Sequence, residues 1–145
     1  MATVTAVPAT TATTERRRTR LVAAGAAAVT LCAGLGIRAV ADGDIAKYAG
    51  DALYTVLLST LVVLIAPAPG MRRVAAAVGL GLSWLIELGQ LAGVAAELSQ
   101  RSIIARLVLG STFNAPDLFW YVVGAGLFLL ICTVVPRPSG LRHAP

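Results

Sequence analysis

The sequence predicts an all-α protein: an integral membrane bundle of four transmembrane helices, with a short interfacial helix before the fourth. Three observations predict it. Hydrophobic residues make up 57% of the 145 and charged residues only 13%, whereas a soluble domain carries roughly a quarter charged. Four long apolar runs recur, each bounded by charges or by Pro and Gly. The arginines cluster at the ends of those runs and do not interleave with aromatics on a basic face. The net charge of +5 therefore reports topology and excludes a nucleic-acid-binding surface.

Residues 1–20 begin with a Thr-, Ala- and Pro-rich stretch without apolar periodicity, then Glu15, Arg16, Arg17, Arg18 and Arg20. They are expected to form a disordered basic cytoplasmic tail. The membrane domain covers 21–136, with spans at about 21–40, 45–66, 72–96 and 115–135. The first span is short and rich in Ala and Gly. Its basic flank and Ala39-Val40-Ala41 also have the layout of a signal peptide, but the apolar stretch is long for one and Arg38 precedes the cut. It is read as retained. Asp44 is a candidate N-cap for the second span. Pro67-Ala68-Pro69-Gly70 ends that span in a tight hairpin. The fourth opens at Asn114-Ala115-Pro116-Asp117, with proline in the first turn and a carboxylate beside the helix N-terminus. Pro136 and Pro138 end it, leaving residues 137–145 as a second cytoplasmic tail.

Lys and Arg set the orientation. The N-terminal flank, Arg72 and Arg73, and Arg137 and Arg142 give eight on one side, against Arg38, Lys47, Arg101 and Arg106 on the other. Both termini are thus expected in the cytoplasm of a multi-pass protein in a plasma membrane. The richness in Ala, Val and Arg points to a high-GC bacterial genome. In the outer loop, Ile103, Ile104, Leu107 and Val108 make one apolar face of a short helix that stops at Gly110. Trp120 and Tyr121 lie at the depth of an aromatic belt.

The polar residues inside apolar runs are the candidate site. Glu87 and Gln90 share one helix face in the third span, where a carboxyl and a carboxamide are expensive. With Glu87 nine residues from Ala96, it is expected ~14 Å below the outer end of its helix. Ser83, Glu87, Gln90 and Glu97 form one stripe, and Asp44, Tyr48, Asp51 and Thr55 another on the second span. The two stripes are expected to face each other. Asp117 opens the fourth span, Arg38 ends the first, and Arg106 lies on the loop above. Arg38 and Arg106 are expected to pair with Asp51, Glu87 or Asp117. The resulting polar cluster is Arg38, Asp51, Glu87, Gln90, Arg106 and Asp117, with Ser111, Thr112 and Asn114 at its mouth. It can hold the bundle together or line an outward-facing cavity.

Gly89 and Gly93 form Gly-x-x-x-Gly, and Gly79 with Gly81 and Gly124 with Gly126 are spaced for close backbone approach. Cys32 and Cys132 lie in separate apolar runs near opposite faces of the membrane and are read as small apolar residues. The single histidine, His143, is in the C-terminal tail. No cofactor, metal site or catalytic residue is assigned. The lipid bilayer is the expected partner, and the sequence leaves the oligomeric state open.

The segment Arg106-Leu-Val-Leu-Gly-Ser-Thr-Phe-Asn-Ala-Pro-Asp117, continuing Leu118-Phe-Trp-Tyr-Val-Val-Gly124, carries a resemblance. So do Ile37-Arg38, Gly50-Asp51 and Glu87-x-x-Gln90. From Ile37 to about Leu130 the chain resembles a family of small bacterial membrane proteins known as a domain of unknown function (number twenty-eight-oh-nine). That family is similar to VanZ-like proteins, which share a Glu-x-x-Gln helix, an Arg, and an Asp opening a Gly-containing helix. Glu87, Gln90, Arg106, Asp117 and Gly124 match this pattern. The family usually has Asp after Ser-Thr-Phe, where this chain has Asn114. VanZ-like proteins are associated with low-level glycopeptide resistance, so the resemblance implies envelope biology. It leaves open an envelope-lipid, cell-wall-intermediate or glycopeptide binder, an intramembrane hydrolase or small carrier using Glu87, and a structural assembly subunit.

Overall fold

A computed structural model describes residues 9–109 and 112–134; for 9–11, 94–96, 99 and 105–107 it describes the backbone alone. Within them lie six helices: α1 (Ala9–Val40), α2 (Gly43–Ile65), α3 (Arg72–Leu91), α4 (Val94–Arg101), α5 (Ile103–Leu109) and α6 (Ala115–Val134). Helices α1, α2, α3 and α6 are long and apolar enough to cross a membrane, the pattern of a multi-pass membrane protein.

Helix α2 is the hub. It packs against α1, α3 and α6, and α3 packs against α6. Val56, Ala75, Ala76 and Phe128 form a core cluster where α2, α3 and α6 meet. Close approach depends on two glycines that face α2. A Cβ at Gly79 would stand 2.8 Å from the backbone nitrogen of Ser59, and one at Gly124 would stand 2.9 Å from the carbonyl carbon of Ala52. Their partners Gly81 and Gly126 face open space, as does Gly89. Thr55 and Ser83 share a hydrogen bond of 2.9 Å at the α2–α3 contact, and both are fully buried. The polar stripes thus meet there, but Tyr48 turns away and stacks on Trp120 at 5.4 Å.

At the hairpin end, Gly70 (φ +77°) closes the α2–α3 turn. Arginines from neighbouring helices reach carbonyls that a helix C-terminus leaves without intrahelical donors. Arg20 of α1 donates to Ile65 O at 3.4 Å, and Arg72 of α3 donates to Cys132 O of α6.

Three sequence expectations change. Helix α1 starts at Ala9 and has 32 residues, so residues 9–20 continue the helix instead of forming a tail. At ~1.5 Å per residue it runs ~48 Å, well beyond a ~30 Å hydrocarbon core. The third span ends at Leu91, because Gly93 adopts a left-handed conformation (φ +76°) that breaks the helix. Residues 94–101 then form α4, so the loop holds two short helices where one was expected. Glu97 leaves the Glu87 stripe and pairs with Arg101 at 2.7 Å on the exposed side of α4. Residues 1–8, 110–111 and 135–145, including Ser111, Pro136 and the second tail, lie outside the described residues.

Candidate functional site: a polar cavity at one end of the bundle

The polar residues gather at the end opposite the hairpin. Glu87 lies four residues before the end of α3, ~6 Å along the helix, and is therefore shallower than its distance from Ala96 suggested. It is 1% exposed. Its Oε1 accepts from the backbone N–H of Asn114 at 2.7 Å, and its Oε2 accepts from the Tyr121 hydroxyl at 2.9 Å. One donor comes from the strand of chain entering α6 and the other from the second turn of that helix. Glu87 thereby ties α3 to the start of α6, and Trp84 Nε1 donating to Leu118 O at 3.2 Å adds to the same seam.

Asp117, 4% exposed, is held by Lys47. The ammonium reaches both carboxylate oxygens, at 2.6 and 2.8 Å, and the Asn114 side-chain amide also donates to Asp117. Lys47 thus takes the place expected for Arg38 at Asp117. Among the described residues the ion pairs are Lys47–Asp117 and Arg101–Glu97, and Glu87 is satisfied by neutral donors. A compact ammonium one turn before Asp51 reaches Asp117, while the Arg38 guanidinium lies over Gly50. The Arg106 side chain lies outside the described residues.

Beside this satisfied group is a second, unsatisfied one. Asp51 Oδ2, the Tyr54 hydroxyl and Gln90 Oε1 are buried and have no hydrogen-bond partner among the described residues. The other end of the Gln90 amide is anchored, Nε2 donating to Leu109 O at 2.5 Å. The three residues that carry these atoms line one cavity of 570 Å³. Helix α1 packs on α2 and on no other described helix, which leaves a gap between α1 and α3. The cavity fills this gap. Towards the polar end it is lined by Arg38, Lys47, Asp51, Gln90, Thr112 and Asp117, and further into the bundle by Leu31, Leu35, Leu53, Leu57 and Ile86. Glu87, Tyr54 and Tyr121 lie between these two sets. The Arg38 guanidinium lies over Gly50, 3.4 Å from where a Cβ would stand, next to Asp51 in the chain. Among the described residues no three His, Cys, Asp or Glu side chains are grouped so as to hold a metal ion.

Of the sequence-assigned residues, Arg38, Asp51, Glu87, Gln90, Thr112 and Asp117 all line this cavity, and Asn114 bridges two of them. Lys47, Tyr54 and Tyr121 were missed as site residues. Each had a helical signal: Lys47 is one turn before Asp51, Tyr54 three residues after it, and Tyr121 one turn after Asp117. Tyr121 was assigned to an interfacial belt, but it is 5% exposed and bonded to Glu87.

No curated protein and no solved structure matches the chain. The profile of the family described as "Protein of unknown function (DUF2809)" matches residues 40–125, which contain α2 to α5, the first half of α6 and most of the cavity's polar residues. The chain belongs to this family.

Proposed function

We propose that this protein is a non-enzymatic, bacterial plasma-membrane protein that binds the polar head of an envelope amphiphile in the cavity between α1 and α3. The observation that carries this reading is the lining. Asp51, Tyr54 and Gln90, which carry polar atoms without partners among the described residues, line the same space as Leu31, Leu35, Leu53 and Leu57, between helices long and apolar enough to span a membrane. A buried polar atom without a partner costs about 1–3 kcal/mol, so a ligand that satisfies three of them gains affinity from their burial. The gap between α1 and α3 gives a lipid-borne ligand a lateral entrance. With both termini cytoplasmic, as the Lys and Arg distribution favours, the cavity opens to the outer leaflet, where lipids and cell-wall intermediates reside. The resemblance to VanZ-like proteins points to the same envelope setting.

The hydrolase reading has less support. Glu87 is 1% exposed and each of its oxygens is tied to the α6 side, by Asn114 and by Tyr121, which accounts for its burial as a link between helices.

Filling the cavity tests the proposal. Gly34 lines it, and a Cβ there meets nothing within 4 Å. Gly34→Leu should leave folding intact and remove co-purifying lipid seen by native mass spectrometry. Unchanged lipid retention in a well-folded Gly34→Leu protein would contradict the proposal.

A further inference from the structure

The unpartnered groups say more about the ligand's chemistry, given the cavity-binding reading on which this step rests. Asp51 Oδ2 and Gln90 Oε1 are acceptors, and the Tyr54 hydroxyl can also accept. Three acceptors carried by residues that line one space call for a group rich in N–H donors. A primary ammonium carries three donors and no acceptor, so it can serve all three atoms at once. A neutral hydroxyl carries one donor, and a quaternary ammonium carries none.

The charges of the lining add the other half. Lys47 is spent on Asp117, and Glu87 is held by neutral donors. That leaves one cation, Arg38, and one anion, Asp51, without an ion-pair partner among the described residues. They are close, because the guanidinium lies over Gly50, the residue before Asp51. Arg38 is solvent-exposed at the end of α1, whereas Asp51 Oδ2 is buried deeper in the cavity wall. A guanidinium presents a planar donor fork suited to phosphate oxygens. The two charges do not form a salt bridge with each other within 4 Å. The arrangement sets a cation and an anion side by side on the cavity wall, the complement of a zwitterion.

We propose that the cavity recognises a head group carrying both an anionic phosphate and a primary ammonium, the phosphate on Arg38 and the ammonium among Asp51, Tyr54 and Gln90. The leucine-lined part of the cavity makes an aminophospholipid the source, its first acyl methylenes lying against Leu35 and Leu57.

The test is lipid competition on the purified full chain by native mass spectrometry, in nanodiscs holding equal amounts of phosphatidylethanolamine, phosphatidylglycerol and phosphatidylcholine. The proposal expects at least tenfold enrichment of phosphatidylethanolamine in the protein-bound fraction. Asp51→Asn should abolish the preference over phosphatidylcholine, which lacks N–H donors. Arg38→Gln should weaken retention of phosphatidylethanolamine and phosphatidylglycerol alike. Soluble glycerophosphoethanolamine at equal concentration should fail to displace the bound lipid, and equal displacement would overturn the lipid as the source. Lipid retained without head-group preference would overturn this inference while leaving cavity binding standing. No retained lipid of any kind would overturn both.

Discussion

Glu87 and Asp51 are two carboxyl groups lining one cavity, and they are built in opposite ways. Glu87 has both oxygens satisfied, by a backbone N–H and a tyrosine hydroxyl from the α6 side, and is 1% exposed. Asp51 has a buried oxygen with no partner among the described residues, and Tyr54 and Gln90 repeat the pattern. The difference separates a seam from a site. In the seam each polar group has a protein partner, so its removal leaves another group stranded. In the proposed site the described residues supply no partner, so the same chemistry should matter for binding and little for folding.

The seam should break first and hardest. Glu87→Ala strands the Asn114 N–H and the Tyr121 hydroxyl in the bundle. It should cost about 2–5 kcal/mol, seen as a large fall in Tm or loss of folded protein in detergent. A melt unchanged from wild type would dissolve the distinction between seam and site.

A steric contrast comes next. Gly124→Ala sets a methyl against Ala52 and Thr55, and should cost about 1–3 kcal/mol by forcing α2 and α6 apart. Gly126→Ala, two residues away, meets nothing within 4 Å and should be neutral within about 0.5 kcal/mol. Equal melts for the two would mean that the α2–α6 approach is looser than the geometry here.

Much of this was legible in the sequence, and the limits have physical causes. The four spans, the Pro-Gly hairpin and the short helix at Ile103 follow from apolar length, turn chemistry and periodicity. Asp51, Glu87, Gln90 and Asp117 stood out because polar groups in apolar runs are expensive. What the sequence did not fix was rotation and reach. Tyr121 serves a belt or a buried hydrogen bond depending on how α6 is turned, and nothing local decides it. Lys47 and Arg38 are both cations near the same carboxylates, and only the packing of α2 against α6 gives Asp117 to Lys47. Gly93 fits a packing motif as well as a left-handed break, since glycine suits both. Residues 9–20 lack an apolar pattern, yet they extend an established helix, where adding a residue is easier than nucleating one.

The most direct measurement is a paired readout, Tm and bound lipid, on Tyr121→Phe and Asp51→Asn. Tyr121→Phe removes one donor to Glu87. It should lower stability by about 1–3 kcal/mol while the lipid stays bound. Asp51→Asn should leave stability within about 1 kcal/mol of wild type and lose the head-group preference of the bound lipid. The reverse pattern, a collapsed Asp51→Asn protein and a Tyr121→Phe protein that is stable but empty, would contradict the account.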